Sequence, residues 1–323
     1  MVLATLPVIY MAPLKGITQA LFRRVYTNHF SGIDGAIAPF INPQRRGGNN
    51  RALLTDLLPK NNCPLPLVPQ LLTTDPQDFI ALAHQLDELG YSEINWNLGC
   101  PQPMIARKKR GAGLLPYPDL ITGILDTVLP RISARLSIKM RLGYDNFEES
   151  LQLIPRLNHY PIRTIIIHAR LGSQLYRGVT YPDQFRACLA LSRHHLVYNG
   201  DITSLEEFQR LQKVLPEINH WMIGRGLLFN PHLPAQLKAP SKQQEQQFEN
   251  LFAFHNELFH EQQACLNGSG PLLGKMKQLW TYLISGFPGG RQALQTITRA
   301  ASEETYLTAV SHLFEAAAKS ANH

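Results

Sequence analysis

The chain has 323 residues, with 31 Lys and Arg against 24 Asp and Glu, a formal charge of +7 and 44% hydrophobic residues. That length buries a large core and suits one α/β barrel with an appendage as well as it suits two domains. Four cysteines (Cys63, Cys100, Cys188, Cys265) lie far apart with no Cys-x-x-Cys pair, and no apolar run approaches the length of a membrane span, so neither zinc, a disulfide framework nor a bilayer is suggested.

The N-terminus lacks the basic and apolar regions of a signal peptide, and a cytoplasmic protein with no membrane contact and no metal is expected. From the first residues to about residue 236, short apolar runs alternate with amphipathic helical stretches, the pattern of repeated β-α units round a parallel sheet. The runs expected as strands are 8–12, 35–40, 67–71, 93–98, 136–141, 164–168, 196–199 and 221–223. Eight such units over this length point to an α/β fold of the (β/α)8 TIM-barrel type. No strand is followed by Gly-x-Gly-x-x-Gly, which argues against a Rossmann domain.

The punctuation between strands is structural. Asp75-Pro76 supplies a cap and a first-turn proline, Phe79, Leu82, Ala83, Leu86 and Leu89 form one stripe, and Gly90 ends it. Thr203-Ser204-Leu205-Glu206 reads as a capping box. The segment Arg45-Arg46-Gly47-Gly48-Asn49-Asn50 is too polar and glycine-rich for a helix and reads as a loop at the barrel mouth. After Pro240 the texture changes: a long helix over 243–265 is expected to break at Gly268-Ser269-Gly270-Pro271, followed by helices over 272–283, 290–298 and 303–319. The expected division is therefore 1–238 for the barrel and 242–323 for a small all-helical domain.

The stretch Asn95-Trp96-Asn97-Leu98-Gly99-Cys100-Pro101 stands out. Alternation puts Asn95 and Asn97 on one face of a strand, and Gly99-Cys100-Pro101 stops that strand with a thiol at its exit. Buried carboxamides need hydrogen-bond partners, so a ligand at the Asn97 end is one reading and a capping amide beside a structural cysteine is the other. In a barrel of this kind the strand C-termini build the active site. Those positions hold Pro13, Gln70, Asn97, Cys100, Lys139, Arg141, His168, Arg170, Asn199-Gly200-Asp201 and Gly224-Arg225-Gly226. Lys139, Arg141 and His168 sit in strands otherwise fit for burial, and buried cations require polar or anionic partners. Glycine-bearing loops after strands seven and eight are where such barrels hold phosphate. Together these residues ask for a flat, anionic, hydrogen-bonding ligand, which FMN satisfies.

From residue 236 onward seven Lys and Arg balance seven Glu, so the whole basic excess lies earlier. It clusters at Arg45-Arg46 with Arg51, at Arg107-Lys108-Lys109-Arg110 and at Lys139 with Arg141, surfaces suited to phosphates or simply solvated.

The motifs Met11-Ala12-Pro13 with Gly16 and Thr18, Val68-Pro69-Gln70, Asn97-Leu98-Gly99-Cys100-Pro101, Arg110-Gly111-Ala112-Gly113-Leu114-Leu115, Lys139-Met140-Arg141-Leu142-Gly143, His168-Ala169-Arg170 with Tyr176, Asn199-Gly200-Asp201 and Met222-Ile223-Gly224-Arg225-Gly226 resemble those of the tRNA-dihydrouridine synthase family. They span the whole barrel in family order. The resemblance implies an FMN-bearing barrel, reduced by NADPH, with a helical domain that helps hold tRNA. It implies that Met11, Ala12, Pro13, Gln70, Lys139, His168, Asn199, Gly200, Asp201, Gly224 and Arg225 serve the cofactor, that Asn97 addresses the uracil and that Cys100 donates the proton. Arg141, Arg170, Lys108, Lys109 and Arg110 would face substrate or backbone phosphates, and a monomer is expected. The family often has Asp and Leu where Asn95 and Trp96 stand, and Met where Leu14 stands. Two rival readings are a flavin barrel reducing a free pyrimidine and a non-catalytic RNA-binding barrel.

Overall fold

The computed structural model describes residues 6–43, 53–61, 64–239, 247–287 and 289–321. Among them, nine parallel strands form one sheet: β1 Val8–Met11, β2 Gly35–Ile37, β3 Leu67–Val68, β4 Gln70–Leu71, β5 Glu93–Leu98, β6 Arg135–Arg141, β7 Ile162–His168, β8 His195–Asn199 and β9 His220–Ile223. Their spatial order is β3-β2-β1-β9-β8-β7-β6-β5-β4. All eight expected strand positions are occupied. The ninth segment arises because Pro69 has no N–H for the ladder and splits the run 67–71 into β3 and β4. β3 pairs with β2 and β4 with β5, so the ring closes through one broken strand and the fold is a (β/α)8 barrel.

The helices are α1 Ala20–His29, α2 Pro76–Glu88, α3 Pro103–Ala106, α4 Pro118–Val128, α5 Glu148–Leu157, α6 Pro182–Leu191, α7 Leu205–Val214, α8 Arg225–Phe229, α9 Leu233–Lys238, α10 Gln247–Cys265, α11 Ser269–Leu283, α12 Gly290–Arg299 and α13 Glu303–Ala321. In α2 the Asp75 carboxylate accepts from the Gln77 and Asp78 N–H groups, and Phe79, Leu82, Ala83 and Leu86 are buried. Gly90 then adopts φ +88°, the left-handed stop that glycine allows. The cap of α7 lies one residue later than the expected box: Ser204 Oγ accepts from Glu207 N–H at 3.1 Å.

The inside of the ring is divided. On one side Ala12, Ile37, Ile166, Val197 and Met222 make an apolar cluster. On the other, the register sets Gln70 beside Asn95, Asn95 beside Ser137, and Asn97 beside Lys139, a polar half where barrels of this kind usually place branched aliphatics. Trp96 points the opposite way, fully buried, with its indole N–H donated to the Thr73 carbonyl at 3.0 Å and its ring edge-on to Phe79.

Beyond Ile223 every element among the described residues is a helix. The expected break at 268–271 shortens to Gly268, at φ +84°, because α11 already starts at Ser269. Pro271 falls in its first turn, where a missing N–H costs nothing. Helix α10 lies on α1: the Phe254 ring meets Phe22 at 5.8 Å and Phe30 at 5.1 Å, while Arg24 pairs with Glu261 at 2.8 Å and His29 with Glu257 at 2.6 Å. One continuous apolar core therefore contains barrel and helical residues alike. Arg45, Arg46 and Arg51, with the loop expected around them, and part of the expected boundary at 238–242 lie outside the described residues.

Candidate active site

The C-terminal strand ends open into a cavity of about 1000 Å³. Ala12, Pro13, Asn97, Cys100, Lys139, Arg141, His168, Asn199, Gly200, Asp201, Gly224 and Arg225 all line it, as do Phe229 at the end of α8 and Gln278, Thr281 and Tyr282 of α11. One wall of the site is thus helical. A second depression of about 630 Å³, between α12 and α13, is lined by polar residues and by Ala300 and Ala301, with Arg299 as the one charged group in that lining. Two of the residues expected to serve the cofactor do not reach the main cavity. The Met11 side chain is fully buried in the core outside the ring, and Gln70 is fully buried beside β5.

Cys100 is held from two sides. Asn97 Oδ1 accepts the N–H groups of Gly99 at 3.0 Å and Cys100 at 2.8 Å, a side-chain turn that puts the thiol at the strand exit. The amide is thus both capping group and cavity wall, and the two sequence readings of Asn97 coincide. From the other side, Gly111 at φ +57° packs so closely that a Cβ there would stand 2.5 Å from the Cys100 carbonyl oxygen and 2.9 Å from its Cβ. Replacement of Gly111 by Ala is therefore expected to destabilise the fold by about 1–3 kcal/mol and to slow turnover with the barrel still formed. Thermal melting with activity checks this; an unchanged melting point and rate would remove Gly111 from the site. Burial lifts the Cys100 thiol above its ordinary pKa, outweighing the Gln102 backbone hydrogen bond and the charges of Arg141, Lys15 and Lys139, so it stays protonated at neutral pH.

Lys139 is pushed down to about 7, chiefly by burial and then by Arg141. Its Nζ donates to Asn199 Oδ1 at 2.9 Å, and Asn199 Nδ2 donates to the Met222 carbonyl at 2.8 Å. Among the described residues this amine has no anionic partner, and an anionic ligand would supply one. His168 lies well below its ordinary value through burial and the surrounding cations Arg141, Lys139, Arg170 and Arg225, so it is neutral. Arg170 Nη1 stands 3.3 Å from His168 Nε2, which makes Nε2 the acceptor and leaves the ring proton on Nδ1.

The arginines correct the sequence expectation. Arg170 is 2% exposed and does not face the solvent. It forms an ion pair with Asp201, donates to the Gly178 carbonyl at 2.8 Å and backs His168. Asp201, at φ +39°, is likewise engaged by Arg170 and, at 3.0 Å, by Arg225, so its carboxylate holds two cations in place. Arg141 does line the cavity but donates Nε to the Gly99 carbonyl at 3.0 Å and Nη1 to the Leu171 carbonyl at 2.7 Å. Lys108 and Lys109 are exposed and follow the segment Pro103 to Ile105 that lines the cavity; Lys109 lies 4.0 Å from the Tyr117 ring centroid and Arg110 donates to Asn42 at 3.2 Å. Sequence reasoning gave no role to Tyr176, whose ring sits 5.3 Å from the Arg141 guanidinium and 5.6 Å from that of Arg225. Nor did it give one to Gly111, for which nothing in the local pattern signals contact with Cys100.

Residues 10–322 match the sequence model of the family described as dihydrouridine synthase. The chain belongs to the dihydrouridine synthase family. It is 32% identical over 228 residues to the tRNA-dihydrouridine synthase B of Pasteurella multocida, covering 70% of this chain and 67% of that protein. Against the tRNA-dihydrouridine(16) synthase of Pseudomonas syringae pv. tomato it is 27% identical over 310 residues, 90% of this chain and 94% of that one. The barrel itself is similar to the old yellow enzyme homologue of Zymomonas mobilis, with a TM-score of 0.52 at 12% identity over 75% of this chain and 91% of that one. It is also similar to morphinone reductase in complex with tetrahydroNAD, TM-score 0.51 at 10% identity over 76% and 89% of the two chains. At such identities the likeness is one of fold. The cavity thus sets a protonated thiol and a half-titrated amine against the same space.

Proposed function

We propose that this protein reduces the C5=C6 bond of uridine in tRNA, with FMN bound in the cavity and NADPH as reductant. The observation that carries the reading is the placement of Cys100, a thiol kept protonated by burial, and Lys139, an amine with no anionic partner among the described residues, on the lining of one cavity.

The residues present fit FMN. Gly200, at φ +142°, and Gly224, where a Cβ would come 3.5 Å from that of Ala12, keep the strand-eight and strand-nine loops free of side chains where a phosphate would lie. Arg225, tethered by Asp201, supplies positive charge there. Ala12, Pro13, Lys139, His168 and Asn199 would hold the ring system, with Lys139 balancing negative charge and His168 offering its Nδ1 proton. When bound, a reduced flavin supplies hydride to C6 of the uracil ring. Cys100 holds the proton that C5 then requires, and Asn97 both orients the thiol and offers an Nδ2 hydrogen to the base. A base stacked in RNA cannot enter this cavity, so the uridine turns out of the strand while Lys108, Lys109 and Arg110 take backbone phosphates. The setting is the cytoplasm and the working unit a monomer, with no membrane involved; no helix among the described residues is long and apolar enough to cross one.

A visible spectrum of the purified protein, followed by NADPH in air-free buffer and then unmodified tRNA, tests the whole reading. Flavin absorbance that bleaches with NADPH and returns with tRNA is expected. Recovery only with a free pyrimidine such as uracil or orotate would replace tRNA as substrate, and a colourless protein that takes up no FMN would end the flavin assignment.

A further inference from the structure

Four buried polar side chains run in line from β6 to the Cys100 turn. Ser137 Oγ donates to the Ile94 carbonyl at 3.3 Å, and Asn95 Nδ2 donates to Ser137 Oγ at 3.0 Å. Gln70 Nε2 donates to Asn95 Oδ1, and Asn97 Nδ2 to Gln70 Oε1, both at 2.7 Å. Asn97 Oδ1 then accepts from the Gly99 and Cys100 N–H groups. Ser137, Asn95 and Gln70 are at most 1% exposed and Asn97, at the cavity wall, 7%.

Both ends of this chain are backbone and neither can be reversed, since a carbonyl only accepts and an N–H only donates. Each amide between them therefore has one allowed orientation. Turning any one sets oxygen against oxygen and nitrogen against nitrogen in a space closed to water. Gln70 is oriented from both sides, its oxygen by Asn97 Nδ2 and its nitrogen by Asn95 Oδ1, and Asn95 is the one of these two that lies away from the cavity and anchors Gln70 to β5 and β6.

We propose that Asn95 is a positioning residue: by fixing Gln70 it holds the Asn97 oxygen on the Cys100 turn and presents the remaining Asn97 Nδ2 hydrogen to the cavity. Asn97 then meets substrate as a donor, the polarity that a ring carbonyl oxygen of uracil accepts. The inference rests on the dihydrouridine reading and adds to it a residue that touches neither substrate nor cofactor.

The test is a double-mutant cycle on the holoenzyme, reading flavin content, oxidation of the NADPH-reduced enzyme by unmodified tRNA, and the alkylation rate of Cys100 by iodoacetamide followed by peptide mass spectrometry. Asn95→Leu is expected to retain flavin, to slow the tRNA step by about tenfold or more, and to raise Cys100 alkylation about threefold. Because both changes cut one chain, the double variant Asn95→Leu/Asn97→Ala is expected to be no slower than Asn97→Ala alone. Asn95→Asp, whose carboxylate accepts from both Gln70 and Ser137, is expected to stay within about threefold of wild type in both readouts. Multiplying effects in the double variant, or wild-type rates in Asn95→Leu, overturn the proposal. If Asn95→Leu does not fold, Asn95→Ser replaces it: its side chain is too short to reach Gln70, so the same losses are expected and wild-type rates again overturn the proposal. A wild-type protein inactive on tRNA defeats the functional reading, while the alkylation rates still test the relay on their own.

Discussion

Replacing Cys100 by Ala is expected to leave flavin bound and reducible by NADPH while slowing dihydrouridine formation by about 10²- to 10⁴-fold, the usual contribution of a positioned general acid. The two half-reactions separate because the thiol takes no part in holding the ring system. Its backbone, not its sulfur, carries the hydrogen bonds to Asn97 and to Ala112, whose N–H donates to the Cys100 carbonyl at 2.9 Å. The turn should therefore survive the loss of Sγ, and no cavity large enough to collapse the site is created. Single-turnover oxidation of the reduced enzyme by tRNA isolates the step, and a variant that reoxidises at the wild-type rate would remove Cys100 from the chemistry. Because burial raises the thiol pKa, the tRNA step should hold its rate through neutral pH and fall only on the alkaline side, as the proton to be donated is lost.

Lys139→Met should cut FMN affinity about tenfold or more and slow reduction by NADPH by about 10²-fold, since it removes an amine that an anionic ligand would hold in its charged form in a site shielded from water. The apoprotein offers a second and independent reading of the same group. Lys139 is depressed to about 7 in the fold, against an ordinary value near ~10.4 in the unfolded chain. Between those limits the unfolded chain binds more protons, so wild-type apoprotein gains stability relative to Lys139→Met as pH rises from 7 towards 10. Melting curves of both apoproteins across that range give the sign directly. A constant difference would mean that the amine is not buried as described, and equal FMN affinity would separate it from the cofactor.

How far the sequence carried depends on what kind of constraint each feature obeys. Strand positions were legible because apolar runs bounded by turn residues report burial locally, and α2 was legible to the residue because cap, stripe and terminal glycine all agree. Pro69 was visible too, but that a break there closes the ring is a property of the sheet order, which no single run contains. Positions at strand ends identified Cys100, Lys139, His168 and Asn199 as cavity residues. The same rule placed Arg170 there and was misled, since Arg170 and Asp201 satisfy each other across 31 residues of sequence. Pairing between distant residues is also what hid the contacts of Gly111 and Tyr176 and the orientation of Gln70. Periodicity tells which way a side chain faces; it does not tell which partner has already taken its hydrogen bonds.

The seating of α10 on α1 bears on how the molecule is made. Phe22 and Phe30 belong to the first helix of the chain and its end, yet the aromatic ring that meets both is Phe254, some 230 residues later. During synthesis the barrel can close strand by strand while that face of α1 stays bare, waiting for a segment still inside the ribosome. A nascent chain stopped before Gln247 would therefore display a ready-made sticky patch of aromatic rings, a handle for chaperones and a seed for aggregation. Completion of this protein is set by its last quarter, and any clipped form lacking α10 should be cleared or precipitate even with all the chemistry-bearing residues in place.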